Sequence, residues 1–167
     1  SLATKWTVAD DDLSIDLDIR TDAKFSDGTV VDADAVVKSL EYLQQGARSG
    51  EAYTHVKDFE KVDDDTVRID LTERDDTILY FMGLGRSYVM APSAIDAGTL
   101  GKEPVGSGPY TLDSTTSVAG SEYHFTKVAD YWDAATYPFQ TLAIFPILDA
   151  TARHNAMLSG QINVHYG

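Results

Sequence analysis

Between Leu13 and Ile19 the chain alternates strictly. Leu13, Ile15, Leu17 and Ile19 are apolar, and Ser14, Asp16 and Asp18 between them are polar. A period of two with one polar face predicts a half-buried antiparallel strand. Asp10, Asp11 and Asp12 read as the turn that joins it to an earlier strand, "KWTVA", so residues 4–20 hold two strands. After the tight Asp27-Gly28 turn of "FSDGT" the period changes. Val36, Leu40 and Leu43, flanked by Val37, share one face of an amphipathic helix of about three turns. Asp32 suits its N-cap, and Gly46 suits the position just past its end. Alternation returns in "VKDFEKVDDDTVRIDL". Val56 to Val62 is one strand of a hairpin and Asp63-Asp64-Asp65 its turn; Val67, Ile69 and Leu71 face inward, with Arg68 and Asp70 outward.

The pattern then breaks into shorter pieces. Asp75 or Asp76 caps a short helix, "TILYFMGL"; "SYVMA" reads as a short buried strand; Pro92 suits the first turn of a helix in "PSAIDAG". "YTLDSTTSVAGSEYHFTKV" gives two strands about an Ala119-Gly120 turn. The nearly continuous apolar run "TLAIFPIL" predicts a fully buried strand. Asp149 caps "ATARHNAMLS", Gly160 ends it, and "INVHYG" supplies a last strand. That strand–helix–strand order predicts a βαβ unit with a parallel pair. The first 100 residues thus read as mainly antiparallel with one long helix, and the last 65 or so as mixed. The fold class is α/β (α+β).

Composition narrows the function classes. With 167 residues and 43% hydrophobic content the chain supports a core. No run of about 18 apolar residues is long enough for a membrane helix. The 27 acidic against 13 basic side chains, a net charge of −14, argue against a nucleic-acid partner, which needs clustered Lys and Arg. The acidity reads as a solvated surface. There is no cysteine, hence no disulfide, zinc thiolate or thiol nucleophile. The chain starts and stops abruptly and reads as a piece of something longer.

Several motifs invite chemistry. "EPVGSGPYTL", residues 103–112, concentrates glycine and proline in one turn. Gly106-Ser107-Gly108 is too short for a phosphate loop, no Lys-Ser or Lys-Thr follows, and Pro109 removes an amide such a cradle would use. A structural turn feeding a strand is the better reading. His55, His124, His154 and His165 are scattered, without the spacing of a helical metal pair, and no serine sits in a G-x-S-x-G elbow. The Asp triplets lack the spacing, glycine and distal glutamate of calcium loops, so they read as hairpin turns. No cofactor, metal site or catalytic residue is assigned. Tyr53, Tyr88, Tyr131, Trp132 and Tyr137 fall in or beside loops. Packing on sheet edges accounts for several; a tyrosine beside a lone arginine in "GRSYV" also fits an aromatic-lined recognition surface.

Taken together, several strings resemble one family. "LSIDLDIRTDAKFSDGTVVDADAVVKSLEYL", "PVGSGPY", "ADYWDA" and "DATARHNAMLSGQINV" are similar, in order and spacing, to segments of the extracytoplasmic solute-binding proteins of peptide and nickel ABC transporters (family 5). Val30-Val31, Asp34-Ala35, Ser107 and Asn163 depart from the family's usual residues. The resemblance implies a periplasmic binding protein-like lobe. Residues 1–100 would be its peripheral, mainly antiparallel subdomain and residues 101–167 its central part with a mixed sheet. The second lobe would lie outside this chain. Gly106 and Gly108 would supply positive φ or close approach where the chain crosses between subdomains. The implied function is capture of a peptide or nickel chelate between two lobes, followed by delivery to an ABC permease. The implied state is a monomer outside the cytoplasmic membrane, with a lipid anchor in the parent left open. By the same resemblance, Tyr53, Arg86 and Tyr88, with Arg48 nearby, form the cleft wall. Arg86 would pair with a ligand carboxylate, and the tyrosines would stack or offer a hydroxyl. Two rivals stay open: a small hydrolase with a His/Asp-based site, and a non-catalytic interaction domain.

Overall fold

The computed structural model describes residues 1–166. Two antiparallel sheets carry the fold. The first contains β1 (Ala3–Val8), β2 (Ser14–Ile19), β3 (Val56–Lys61) and β4 (Thr66–Leu71), in the order β1-β2-β4-β3. The alternation that predicts β2 also sets its register. Ile15 sits opposite Ile69 and Leu17 opposite Val67, so apolar partners meet on one face. On the other face Asp16 pairs with Arg68. The two Asp triplets are turns, as expected: Asp12 N–H donates to the Ala9 carbonyl at 3.0 Å and Asp65 N–H to Asp63 Oδ1 at 3.1 Å.

Helix α1 (Ala33–Gln44) packs on β3 and β4. Asp32 is its N-cap, accepting from Ala35 N–H at 2.9 Å. Val36 and Leu40 are buried, while Val37 and Leu43 are half-buried against the same core. Two shorter helices follow, α2 (Ile78–Gly83) and α3 (Pro92–Ala97), the latter starting on its proline. Asp75 is not the cap of α2. That position is Thr77, which makes no side-chain cap bond, and Asp75 instead accepts from the Thr77 amide and hydroxyl in the turn before it.

The second sheet contains β5 (Tyr110–Val118), β6 (Glu122–Lys127) and β7 (Thr141–Ile144), in that order, with Leu112 opposite Phe125 and Phe125 opposite Leu142. Helix α4 (Ala150–Leu158) follows, capped by Asp149, which accepts from Ala152 N–H at 2.7 Å. Three expectations are corrected here. "TLAIFPIL" is not a buried strand: only its first four residues pair, and Leu142 and Ile144 are exposed. "INVHYG" forms no strand over residues 162–166, and Gly167 lies outside the described residues; the parallel pair is therefore absent, and every pairing among the described residues is antiparallel. "SYVMA" contributes a single bridge, Met90 to Gly106. For "TLAIFPIL" the physical reason is plain. An apolar run reports that a segment needs cover, and Leu148, 93% exposed, has none among the described residues.

The two sheets meet at the glycine-proline turn. Ser26 N–H donates to the Gly106 carbonyl and Ala91 N–H to the Val105 carbonyl, both at 2.9 Å. The Arg20 guanidinium stacks 3.4 Å from the Trp132 ring centroid. Gly106 and Gly108 do not adopt positive φ, and a Cβ on either would meet nothing within 4 Å. The turn is held by backbone pairing, so the freedom of glycine is not what it uses. Pro109 does precede the first strand residue, Tyr110.

Candidate functional site

The four residues singled out in the sequence come together around one loop, Leu84–Met90, that leaves α2. Gly85 opens it in the left-handed region at φ +71°, and a Cβ there would lie 2.6 Å from the Tyr88 hydroxyl and 3.0 Å from its ring. Glycine meets both demands: it carries no Cβ penalty at positive φ and leaves room for the ring. Tyr88 therefore folds back over the loop and remains 72% exposed.

Arg86 is half-buried. Its Nη1 lies 3.5 Å from Glu51 Oε2 and donates to the Arg48 carbonyl at 3.4 Å; its Cζ stands 5.7 Å from the Phe81 ring centroid. Arg48 contributes that carbonyl, and its side chain is exposed. Tyr53 sits elsewhere in kind. It ends a 3₁₀ turn, Gly50–Tyr53, and is only 2% exposed. Its ring packs edge-to-face on Phe59 at 5.7 Å. Its hydroxyl donates to the Arg86 carbonyl at 2.9 Å and lies 2.6 Å from Ser87 Oγ. Burial pushes the Tyr53 phenol up from its usual range, against the smaller opposing effect of the Ser87 hydrogen bond.

Sequence reasoning missed Ser39. This serine on α1 is completely buried, donates to the Met90 carbonyl at 2.8 Å and accepts from Met90 N–H at 3.0 Å. A signal for it existed: it stands three residues after Val36 and four before Leu43, inside the apolar stripe.

Ser87 and Tyr88 also line a cavity of about 1150 Å³ between the two sheets, whose wall includes Trp6, Met82, Val105 and Phe125. None of its lining side chains is charged. Arg86 lies beside this wall in sequence and is not part of it. The positive charge of Arg86 thus stands at the loop, beside a cavity whose lining side chains are uncharged.

Trp132, Tyr131, Tyr137 and Tyr110 form an aromatic cluster near the second sheet, with ring centroids 5.1 to 6.1 Å apart. His55 Nδ1 lies 2.7 Å from Glu73 and His124 Nε2 3.7 Å from Glu122, both exposed or half-exposed pairs. Among the described residues no histidine side chain meets a serine or threonine hydroxyl, and no three His, Asp or Glu gather in a metal-holding arrangement.

Comparison with known proteins identifies the fold. The family described as bacterial extracellular solute-binding proteins, family 5 Middle, matches residues 1–167. The glutathione-binding protein GsiB of Escherichia coli O1:K1 / APEC is 28% identical over 168 residues, covering 96% of this chain and 32% of its own length. Among solved structures, MoaA of A. tumefaciens R10, in complex with mannopinic acid, superposes with a TM-score of 0.84 at 28% identity, covering 100% of this chain and 34% of that one. The oligopeptide-binding protein AppA of Bacillus subtilis, in complex with a nonapeptide, gives 0.80 at 25% identity over 97% of this chain and 34% of that one. The chain spans about a third of the length of these relatives. It belongs to the bacterial extracellular solute-binding proteins, family 5.

Proposed function

We propose that this chain forms one wall of a solute trap: a protein outside the cytoplasmic membrane that encloses a small peptide-like solute and hands it to an ABC permease. Residues 1–100 act as the peripheral subdomain of the first lobe and residues 101–167 as its central part. The remaining enclosure, and the cover for the exposed apolar side chains of β7 and α4, comes from other parts of the protein. The protein works as a monomer and by binding alone, without catalysis.

The observation that carries this reading is the Leu84–Met90 loop, which presents a guanidinium and a phenol on a backbone tied to the core. Arg86 takes a solute carboxylate, exchanging it for the loosely held Glu51. Tyr88 lies over the bound solute with its exposed ring face, and Arg48 adds positive potential nearby. Support for a peptide-like solute comes from the relatives, one named for glutathione and one solved with a nonapeptide. Native mass spectrometry of the protein as purified tests the proposal. A 1:1 adduct of a few hundred daltons that is lost on mild unfolding is the expected result. A protein that carries no adduct and takes up neither glutathione nor a nonapeptide contradicts it.

A further inference from the structure

We infer that Ser39 and Tyr53 are positioning residues of the solute site: two buried hydroxyls that fix the Arg86–Met90 segment from its core side. This rests on the reading that Arg86 and Tyr88 face the solute. Among the described residues, the backbone groups of 86–88 make no hydrogen bond to another backbone group, and the segment pairs only at its end, through the Met90–Gly106 bridge. A loop so exposed and so poor in backbone pairing needs other anchors to hold one shape. Two are present, and they bracket Tyr88. Before it, the Tyr53 hydroxyl binds the Arg86 carbonyl and Ser87 Oγ. After it, Ser39 Oγ closes both polar groups of Met90, as a neighbouring strand would.

Both hydroxyls are shielded from water, so solvent does not compete for these bonds. Both are also fully engaged. Ser39 donates to one Met90 group and accepts from the other, and Tyr53 gives its proton to Arg86 while meeting Ser87. Neither has a hydrogen left for a solute. They act through the loop, and the gain is preorganisation: Arg86 and Tyr88 are placed before the solute arrives. Tyr53, read in the sequence as part of the cleft wall, acts one layer behind it.

The test uses Tyr53→Phe, which removes one atom and keeps the ring, and Ser39→Ala, with Arg86→Ala as the reference. Amide exchange of residues 84–91 is followed by mass spectrometry, and affinity is measured with glutathione and a nonapeptide as probes. Losing either hydroxyl should raise exchange about tenfold at the hydrogen-bonded amides of the segment, Leu84, Met90 and Ala91, while β2 and β4 keep their protection, and should weaken probe binding about tenfold. Unchanged exchange in that segment overturns the inference. So does faster exchange with unchanged affinity when Arg86→Ala weakens binding. If Arg86→Ala also leaves affinity unchanged, the solute-face reading fails instead. The exchange arm needs no ligand and decides the anchoring by itself. Should Ser39→Ala fail to fold, Tyr53→Phe carries the test.

Discussion

Glu51 holds Arg86 at 3.5 Å, the long end of a charge-assisted contact, and 73% of its side chain is exposed. Exposed pairs of this kind contribute about 0.2–1 kcal/mol. On the proposed reading Glu51 occupies the place of a solute carboxylate, and holds it weakly. Replacing it by glutamine should raise the affinity for glutathione by about 1.5- to 5-fold, measured by titration calorimetry, and leave the melting temperature unchanged. A fall in affinity would mean that the carboxylate serves the solute directly. At this scale the sequence was only half legible. An arginine and a tyrosine just after a glycine, in "GRSYV", mark a candidate recognition loop. Whether Tyr53 faces solvent or core is not, because an aromatic beside a loop satisfies both descriptions; only the burial of its ring and the partners of its hydroxyl separate them. Gly106 and Gly108 show the converse. Their type suggests positive φ, yet that conformation falls on other glycines, Gly85 among them.

Among elements, the pairing of β2 with β4 is the best defined. Ile15, Leu17, Val67 and Ile69 are all buried, and Ile69 is 0% exposed. This core was readable because burial on one face imposes a period of two. Across the other face Arg68 reaches Asp16 with two bonds, Nε at 2.7 Å and Nη2 at 2.9 Å. The hydrogen bond from Arg68 holds the Asp16 carboxyl below its usual range, against the opposing effect of burial. A depressed carboxylate binds fewer protons folded than unfolded. Its stabilisation is therefore complete above the unfolded value of about 4 and is lost as pH falls through the lower folded value. Both side chains are about a third exposed, so screening keeps the gain to about 1 kcal/mol or less. Asp16→Asn should lower the melting temperature at pH 7 by a few degrees and bring the difference from wild type toward zero as the pH falls below the lowered folded value of the Asp16 carboxyl. An equal deficit at both ends of that range would assign the effect to packing. β7 was less legible for an equally physical reason: an apolar run fixes the need for cover and says nothing of how long the strand pairs.

For the molecule as a whole, two antiparallel sheets joined at residues 103–109 leave an uncharged cavity between them and an anchored, charged loop beside it. The strands up to Leu71 and those from Tyr110 on lie in separate sheets; the order and direction of the last strands were not legible, since pairing partners are a property of the whole sheet. The central claim is that the loop carrying Arg86 is the solute-facing part of this wall. Titration calorimetry tests it most directly, with glutathione, a nonapeptide and mannopinic acid run against the wild-type protein and Arg86→Ala. A charge-assisted hydrogen bond contributes about 1.5–3 kcal/mol. The account predicts saturable 1:1 binding of at least one probe and a loss of about tenfold or more in the variant at an unchanged melting temperature. Equal affinity in the two proteins, or no binding by the wild type, would contradict it.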